Sequence, residues 1–180
     1  MYGLVNRAIE EMVCTHFSAD AWEQIKQQAH VDNVHFLSMD QYPDQLTYDL
    51  VGAGHRVLGA TPEQILEAFG RFWTKYTAQE GYGDLLHMAG DSFVDCLQNL
   101  DNLHTRVGLS YPQLRPPSFY CTDITPGSLR LHYLSERAGL APMVVGLLHG
   151  LAEVFQTKIA IEIAESRADG HDHEVFLITF

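Results

Sequence analysis

Hydrophobic residues recur at helical spacing through the first two thirds of the chain. In the first such segment one face carries residues at spacings of three and four, as in an amphipathic helix: Leu4, Ala8, Ile9, Met12, Val13 and Phe17. The predicted helices cover 4–17, 21–29, 46–59 and 61–76. The fourth has the clearest start, because Thr61 can cap its N-terminus and Pro62 suits the first helical position.

A further helical pattern runs from about Leu85 to Val107, with Gly90 and Asp91 as a candidate break. Gly108 is predicted to take the left-handed conformation just past the end of that helix. Three prolines in 109–121 then predict an extended loop, because proline cannot continue a helix.

The last third changes to a period of two. Residues 128–135 alternate Leu129, Leu131 and Tyr133 with more polar neighbours, which predicts a strand. Residues 139–155 form an apolar helical pattern, and two further alternating segments, joined by a turn at 167–173, predict a hairpin. The prediction is a single α+β domain over 1–180, with an N-terminal helical subdomain followed by an antiparallel sheet subdomain.

Composition and charge exclude several classes of partner. Of 180 residues 46% are hydrophobic and 19% charged, which is typical of a globular domain. The formal charge of −12 disfavours nucleic acid and anionic membrane surfaces. The start lacks the pattern of a secretory signal and no segment has the roughly 20 apolar residues of a membrane span, so a cytoplasmic protein is expected. Three cysteines without CxxC spacing indicate neither a disulfide framework nor a structural zinc site.

His104 lies on the predicted buried stripe of its helix. The apolar positions around it follow spacings of three and four, through Leu97, Leu100 and Val107. A buried imidazole nitrogen without a partner costs about 1 to 3 kcal/mol, and Leu100, one turn earlier, offers no polar group. The partner must therefore come from elsewhere in the fold, or be a metal. By itself the pattern favours a hydrogen-bonded core histidine.

A second feature is the Y-x-S-x-R spacing of Tyr133, Ser135 and Arg137 at the end of the predicted strand. On an extended chain these side chains point to one side, where a guanidinium and two hydroxyls could bind a pair of carboxylates. A solvated strand end would have the same composition. Taken together, a histidine for iron and a clamp for two carboxylates point to haem.

At these residues the sequence resembles the H-NOX (haem nitric oxide/oxygen binding) family, whose domain also forms the haem sensor of soluble guanylate cyclase. The similarity lies in "LHYLSERAGL", "LDNLHTRVGLSYPQLRPP" and "MYGLVNRAI", and extends to "EGYGDLL", "GLAPMVVGLLHGL" and "FQTKI". It covers the whole chain and is greatest with stand-alone cyanobacterial members.

The resemblance implies a haem b cofactor with His104 as the proximal iron ligand. It assigns the haem propionates to three residues: Tyr133, Ser135 and Arg137. It also implies that Pro117 presses on the porphyrin and distorts it. The remaining implied contacts are Trp73 and Met143 on the distal side, and Leu4 and Val5 from the first helix.

The family resemblance implies a gas sensor rather than an enzyme. Oxygen-binding members supply a distal tyrosine, whereas "AGLAPMVVGLL" after Arg137 offers no Tyr, Ser, Thr or His before His149. We therefore expect binding of nitric oxide and carbon monoxide with exclusion of oxygen, although the indole of Trp73 could donate a hydrogen bond if it faced the iron. Nitric oxide is expected to release His104 and so signal to a separate effector, such as a histidine kinase or a cyclic-nucleotide enzyme.

Three other hypotheses remain at this point. The fold could bind a small carboxylate or a protein without haem. Cys121, Asp123 and His132 could form a nucleophilic site, although no supporting motif is present. Adjacent His171, Asp172 and His173 could bind a metal, but neighbouring residues alternate in direction at a predicted turn. The other histidines, including His132, lack paired ligand spacing and are interpreted as structural or surface residues.

Overall fold

The computed structural model describes residues 1–77 and 89–180. Its helices are α1 Gly3–His16, α2 Ala19–Gln28, α3 Asp44–Leu58, α4 Pro62–Thr77, α5 Phe93–Gln98, α6 Leu100–Ser110 and α7 Ala141–Val154. Its strands are β1 Ser118–Thr122, β2 Ser128–Leu134, β3 Ala160–Glu165 and β4 Glu174–Thr179. A short 3₁₀ turn, Arg167–Asp169, lies between β3 and β4. No helix in these described ranges is both long and apolar enough to cross a bilayer.

The helix boundaries follow their capping residues. The Ser18 hydroxyl accepts a hydrogen bond from the Ala21 amide at 3.0 Å and begins α2. Thr61 and Gln64 form a reciprocal capping box at the start of α4, with distances of 2.9 and 3.3 Å. Gly59, at φ 69°, ends α3 in the left-handed conformation. The predicted first four helices are therefore confirmed.

The four strands form one antiparallel sheet in the order β1-β2-β4-β3. Leu129, Leu131 and Tyr133 of β2 are buried, whereas the residues between them face outward. Against this inner face pack α5 and α7, through Phe93, Leu97, Val144 and Leu148. A second core joins α1 to α4. The α+β class and the predicted hairpin are confirmed.

Three local predictions were wrong. Gly108 lies inside α6, which continues to Ser110. The helical hydrogen bonds extend past the glycine, since the Tyr111 amide still donates to the Val107 carbonyl at 3.1 Å. A break at Asn99 separates α5 from α6, although the apolar spacing runs across it. Residues Ser118–Thr122 form strand β1, because the prolines end at Pro117 and leave every amide of the strand free to donate. The predicted helix start at Leu85 lies outside the described residues.

Helices α4 and α7 approach each other closely enough for their backbones to touch. A Cβ placed on Gly70 would lie 2.1 Å from the Met143 carbonyl oxygen, and one on Gly146 would lie 2.0 Å from that of Glu67. Real Cβ atoms do not come so close, so these positions require glycine. The contact fastens α7, which covers the sheet, to the helical subdomain.

Candidate functional site

A cavity of about 1010 Å³ lies between the helical subdomain and the sheet subdomain. Its volume is at the upper end of the range for cofactor pockets. Its lining is mostly apolar and comes from α1, α3, α4, α6 and α7, with Leu131 and Phe119 from the sheet. The apolar residues Leu100, Leu103 and Val107 of α6 line this cavity and also pack against the edges of the two cores.

His104 projects from α6 to the cavity wall, where its ring stacks on Phe119 with centroids 5.9 Å apart. Its Nδ1 is buried and has no hydrogen-bond partner among the residues that the structure describes. Burial lowers the pKa of His104, while the carboxylate of Asp101 and the nearby carbonyl of Pro117 partly oppose that decrease. His104 is therefore a neutral imidazole at the edge of an apolar cavity, the form that ligates metals.

Asp101, one turn before His104, connects α6 to the sheet. Its Oδ1 accepts a hydrogen bond from the Phe119 amide at 2.7 Å, and its Oδ2 accepts one from the Ser118 hydroxyl at 2.8 Å. Hydrogen bonds to a charged acceptor are among the stronger ones in proteins. Asp101 therefore fixes α6 against the beginning of β1.

Arg137 lies at the rim of the cavity and is paired with Asp44 of α3. Its Nε donates to Asp44 Oδ2 at 2.8 Å, and its Nη1 donates to the Arg115 carbonyl at 2.9 Å. The amino group of Met1 also contacts Asp44, at 2.5 Å. Burial alone would raise the pKa of Asp44, but the hydrogen bonds from Met1 and Arg137 hold it below its ordinary value. The guanidinium thus already binds one carboxylate.

Tyr133 and Ser135 are placed differently from the extended arrangement expected from their spacing. Strand β2 ends at Leu134, and Ser135 accepts a hydrogen bond from the Arg137 amide at 3.1 Å, which turns the chain. Tyr133 is buried beneath Phe119, with ring centroids 5.3 Å apart. Burial raises the pKa of Tyr133, and a hydrogen bond from Ser135 partly opposes the rise. The two hydroxyl groups lie together behind the cavity wall, and only Arg137 of the three lines the cavity.

Seven of the nine predicted site residues line the cavity: His104, Arg137, Pro117, Trp73, Met143, Leu4 and Val5. Trp73 packs between the rings of Phe69 and Tyr76, at centroid distances of 5.8 and 6.1 Å. These contacts fit the packing role that aromatic residues usually have on an apolar helix face.

Sequence reasoning missed Asp44, Asp101 and Phe119. Asp101 stands three residues before His104, so it would have been found by considering the residues three and four positions before His104 on the same helix face. Asp44 is 93 residues from Arg137, and no local pattern indicates that pairing. Phe119 was placed in a loop, so its position opposite His104 could not be expected.

The alternative chemical sites gain no support from the geometry. Burial raises the pKa of the Cys121 thiol to about 11, which disfavours the reactive thiolate. His132 bonds to Thr122 instead of Cys121. Within 1–77 and 89–180, no group of three or more His, Cys, Asp or Glu side chains is arranged to bind a metal ion.

The residues present fit a haem. An apolar cavity, a neutral imidazole on its wall and a guanidinium at its rim are what an iron porphyrin with carboxylate side chains requires. The fold and this site together define a ligand-sensing domain of the haem-binding class. The family profile described as Haem-NO-binding (HNOB) matches residues 2–163, and the chain belongs to that family.

Comparison with known proteins agrees with this assignment. The chain is 34% identical over 171 residues to soluble guanylate cyclase gcy-33 of Caenorhabditis elegans, covering 94% of this chain and 18% of that protein. It is 30% identical over 191 residues to gcy-35 of the same organism, covering 99% of this chain and 27% of that protein. The chain thus spans less than a third of the length of either relative.

Solved structures show the same fold. The crystal structure of an H-NOX protein from S. oneidensis in the Fe(II)NO ligation state superposes with a TM-score of 0.90 at 23% identity, covering 99% of this chain and 98% of that chain. The Fe(II) unliganded H-NOX protein from K. algicida superposes with a TM-score of 0.87 at 20% identity, covering 99% of this chain and 96% of that one. The predicted H-NOX fold is confirmed.

Proposed function

We propose that residues 1–180 form one haem-based sensor domain, without catalytic activity, that binds nitric oxide and carbon monoxide and excludes oxygen. The observation that supports it best is the neutral imidazole of His104 on the wall of a large apolar cavity. Ferrous haem b held by a single imidazole supplies an open sixth position for a diatomic gas.

His104 would hold the iron and Arg137 would hold a propionate. Tyr133 and Ser135 would support the binding of the propionate by fixing the chain that leads to Arg137. The Ser135 hydroxyl accepts a hydrogen bond from the Arg137 amide. Leu4, Val5, Pro117 and Met143 line the cavity and would give a bound ring an apolar surrounding that excludes water.

Oxygen exclusion is supported by the side chains on the α4 and α7 wall. The hydroxyls of Thr74 and Thr77 line the cavity but donate to the carbonyls of Arg71 and Trp73, at 2.9 and 2.8 Å. Bound oxygen gains from a distal hydrogen-bond donor, and nitric oxide gains much less. With these hydroxyls engaged and Trp73 packed between two rings, the wall favours nitric oxide.

Signalling is supported by the position of His104 on α6. Release of the imidazole would leave that helix held by Asp101 and by the partly buried side chains of Leu100 and Leu103. A local bond change that biases a two-state element is the usual basis of a switch. The receiver would be a separate protein in the cytoplasm, of the histidine kinase or cyclic-nucleotide enzyme type.

The absorption spectrum of the ferrous protein tests this proposal. We expect a haem band in the protein alone, no stable oxygen complex in air, and a spectral shift with nitric oxide. His104→Gly should lose haem unless imidazole is supplied, whereas His149→Gly, which removes a histidine that does not itself line the cavity, should retain it. Haem retention by His104→Gly without imidazole contradicts the ligand assignment, and a stable oxygen complex contradicts the selectivity.

A further inference from the structure

Two histidines from different parts of the chain meet on the outer face of the sheet. His132 lies in β2 and His173 immediately precedes β4, and the Nδ1 of His132 is 2.8 Å from the Nε2 of His173. Both side chains are partly buried, and His173 is only 15% exposed. The pair lies on the opposite face of the sheet from the buried residues Leu131 and Tyr133, and so is separate from the cavity.

The outer nitrogen of each ring is held by an oxygen atom. The Nε2 of His132 lies 2.9 Å from the Thr122 hydroxyl, and the Nδ1 of His173 lies 2.5 Å from the Asp172 carboxylate. Tyr120 stacks on His132 with centroids 4.3 Å apart and planes 7° from parallel. Metal-binding histidines have this arrangement, in which an outer oxygen partner fixes the tautomer and the ring orientation.

Three carboxylates and the guanidinium of Arg130 surround the pair. The carboxylates of Glu165 and Asp123 act on His132, and Asp172 is bonded to His173. Arg130 is the opposing charge, but its guanidinium is paired with Glu165 at 2.8 Å. The whole chain has a formal charge of −12, so a divalent cation also gains from the long-range field.

We propose that His132 and His173 form a binding site for a divalent transition-metal ion of the zinc and copper class, with water completing the coordination. Imidazole is a preferred ligand of these ions. Two imidazoles on a tetrahedral zinc ion have nitrogens about 3.3 Å apart, so the two nitrogens need to separate by about 0.5 Å and both rings need to turn until the nitrogens face the ion instead of each other.

The proton balance of this site is simple. Because the Asp172 carboxylate accepts only, the Nδ1 of His173 carries its proton and its Nε2 is free to bind metal. His132 must then donate from Nδ1 to His173 in the metal-free protein. On metal binding the His132 proton moves to Nε2, and the Thr122 hydroxyl becomes its acceptor. Both rings remain neutral throughout, and the pair keeps the same number of protons.

Calorimetric titration of the haem-containing protein with Zn²⁺ tests the proposal, with Mg²⁺ as a hard-cation control. We expect one zinc site per chain and no magnesium binding. Removing one ligand in His173→Gln should weaken zinc binding more than tenfold, and so should His132→Gln. His171→Gln is the matched control, because that residue is on the same turn but pairs with Glu165 instead of His132. It should leave the zinc affinity unchanged.

A further variant distinguishes weaker zinc binding from a loss of folding. Asp172 is 90% exposed, so Asp172→Asn should fold normally and still weaken zinc binding about tenfold, as changes to the partners of metal ligands do. X-ray absorption at the zinc edge should show two imidazole ligands. Absence of zinc binding overturns the proposal. So does equal weakening in His171→Gln and His173→Gln, or an unchanged affinity in Asp172→Asn.

Discussion

Helices α6 and α7 both form walls of the cavity, but they are held in opposite ways. Helix α7 touches α4 backbone to backbone at Gly70 and Gly146, where no side chain fits. Helix α6 is held through side chains, with Leu100 and Leu103 packed against the sheet core and Val107 against the helical core. A contact made through side chains tolerates more displacement than a contact between backbones, so the two walls differ. The proposed iron ligand, His104, lies on the wall that can move at lower cost.

The largest expected effect comes from adding one methyl group to the tight wall. Gly146→Ala places a Cβ 2.0 Å from the Glu67 carbonyl oxygen, so α4 and α7 must separate. Overpacking of this kind typically costs 1 to 3 kcal/mol, and contact with backbone puts this site near the upper end, at about 3 kcal/mol. Urea unfolding monitored by circular dichroism measures the change. A stability within 0.5 kcal/mol of the parent protein, by the usual scale of neutral surface changes, would show that this wall is not rigid.

A smaller loss is expected at the attachment of α6. In Asp101→Asn one oxygen still accepts a hydrogen bond, but the charge is lost and an NH₂ group faces the Ser118 hydroxyl or the Phe119 amide. The expected cost is about 1 to 2 kcal/mol, with faster amide hydrogen exchange confined to α6 and β1. Glu11→Gln, an exposed change of the same type in α1, serves as the control. Equal exchange in both variants would argue that Asp101 does not fasten the helix.

The smallest expected effect has the opposite sign. Gly108 is within α6, and a Cβ there meets nothing within 4 Å, so Gly108→Ala should stabilise the protein by about 0.5 to 1 kcal/mol through helix propensity. Thermal unfolding compared with Gly146→Ala tests the same chemical change on the two walls. Destabilisation by Gly108→Ala would mean that the end of α6 is not helical.

Local signals were sufficient for most of the fold. Capping at Ser18 and Thr61 and the left-handed Gly59 act within a few residues, so sequence alone locates those helix ends. The errors arose where tertiary contacts decide. Asn99 divides an unbroken apolar stripe, and β1 exists because β2 pairs with it in register from Ser118 to Thr122. A pattern of single residues does not contain that pairing.

The site was predictable for residues that belong to a motif and not for those that support them. His104 and Arg137 stand in recognisable segments and line the cavity. Asp44 meets Arg137 only because α3 passes the end of β2, and Phe119 reaches His104 only because β1 forms. His132 and His173 are 41 residues apart and have no shared spacing. Each of these contacts depends on the topology of the sheet.

The ion pair between Arg137 and Asp44 affects how strongly the cavity can bind a ligand that carries carboxylates. The guanidinium already uses three of its five N–H groups, two directed at Asp44 and one at the Arg115 carbonyl. A carboxylate that arrives at Arg137 would share the guanidinium with Asp44, and repulsion between the two carboxylates would reduce its net contribution. The affinity for an entering ring must then come mainly from apolar enclosure and from His104. Arg137 would select the orientation of the ligand more than the strength with which it is held.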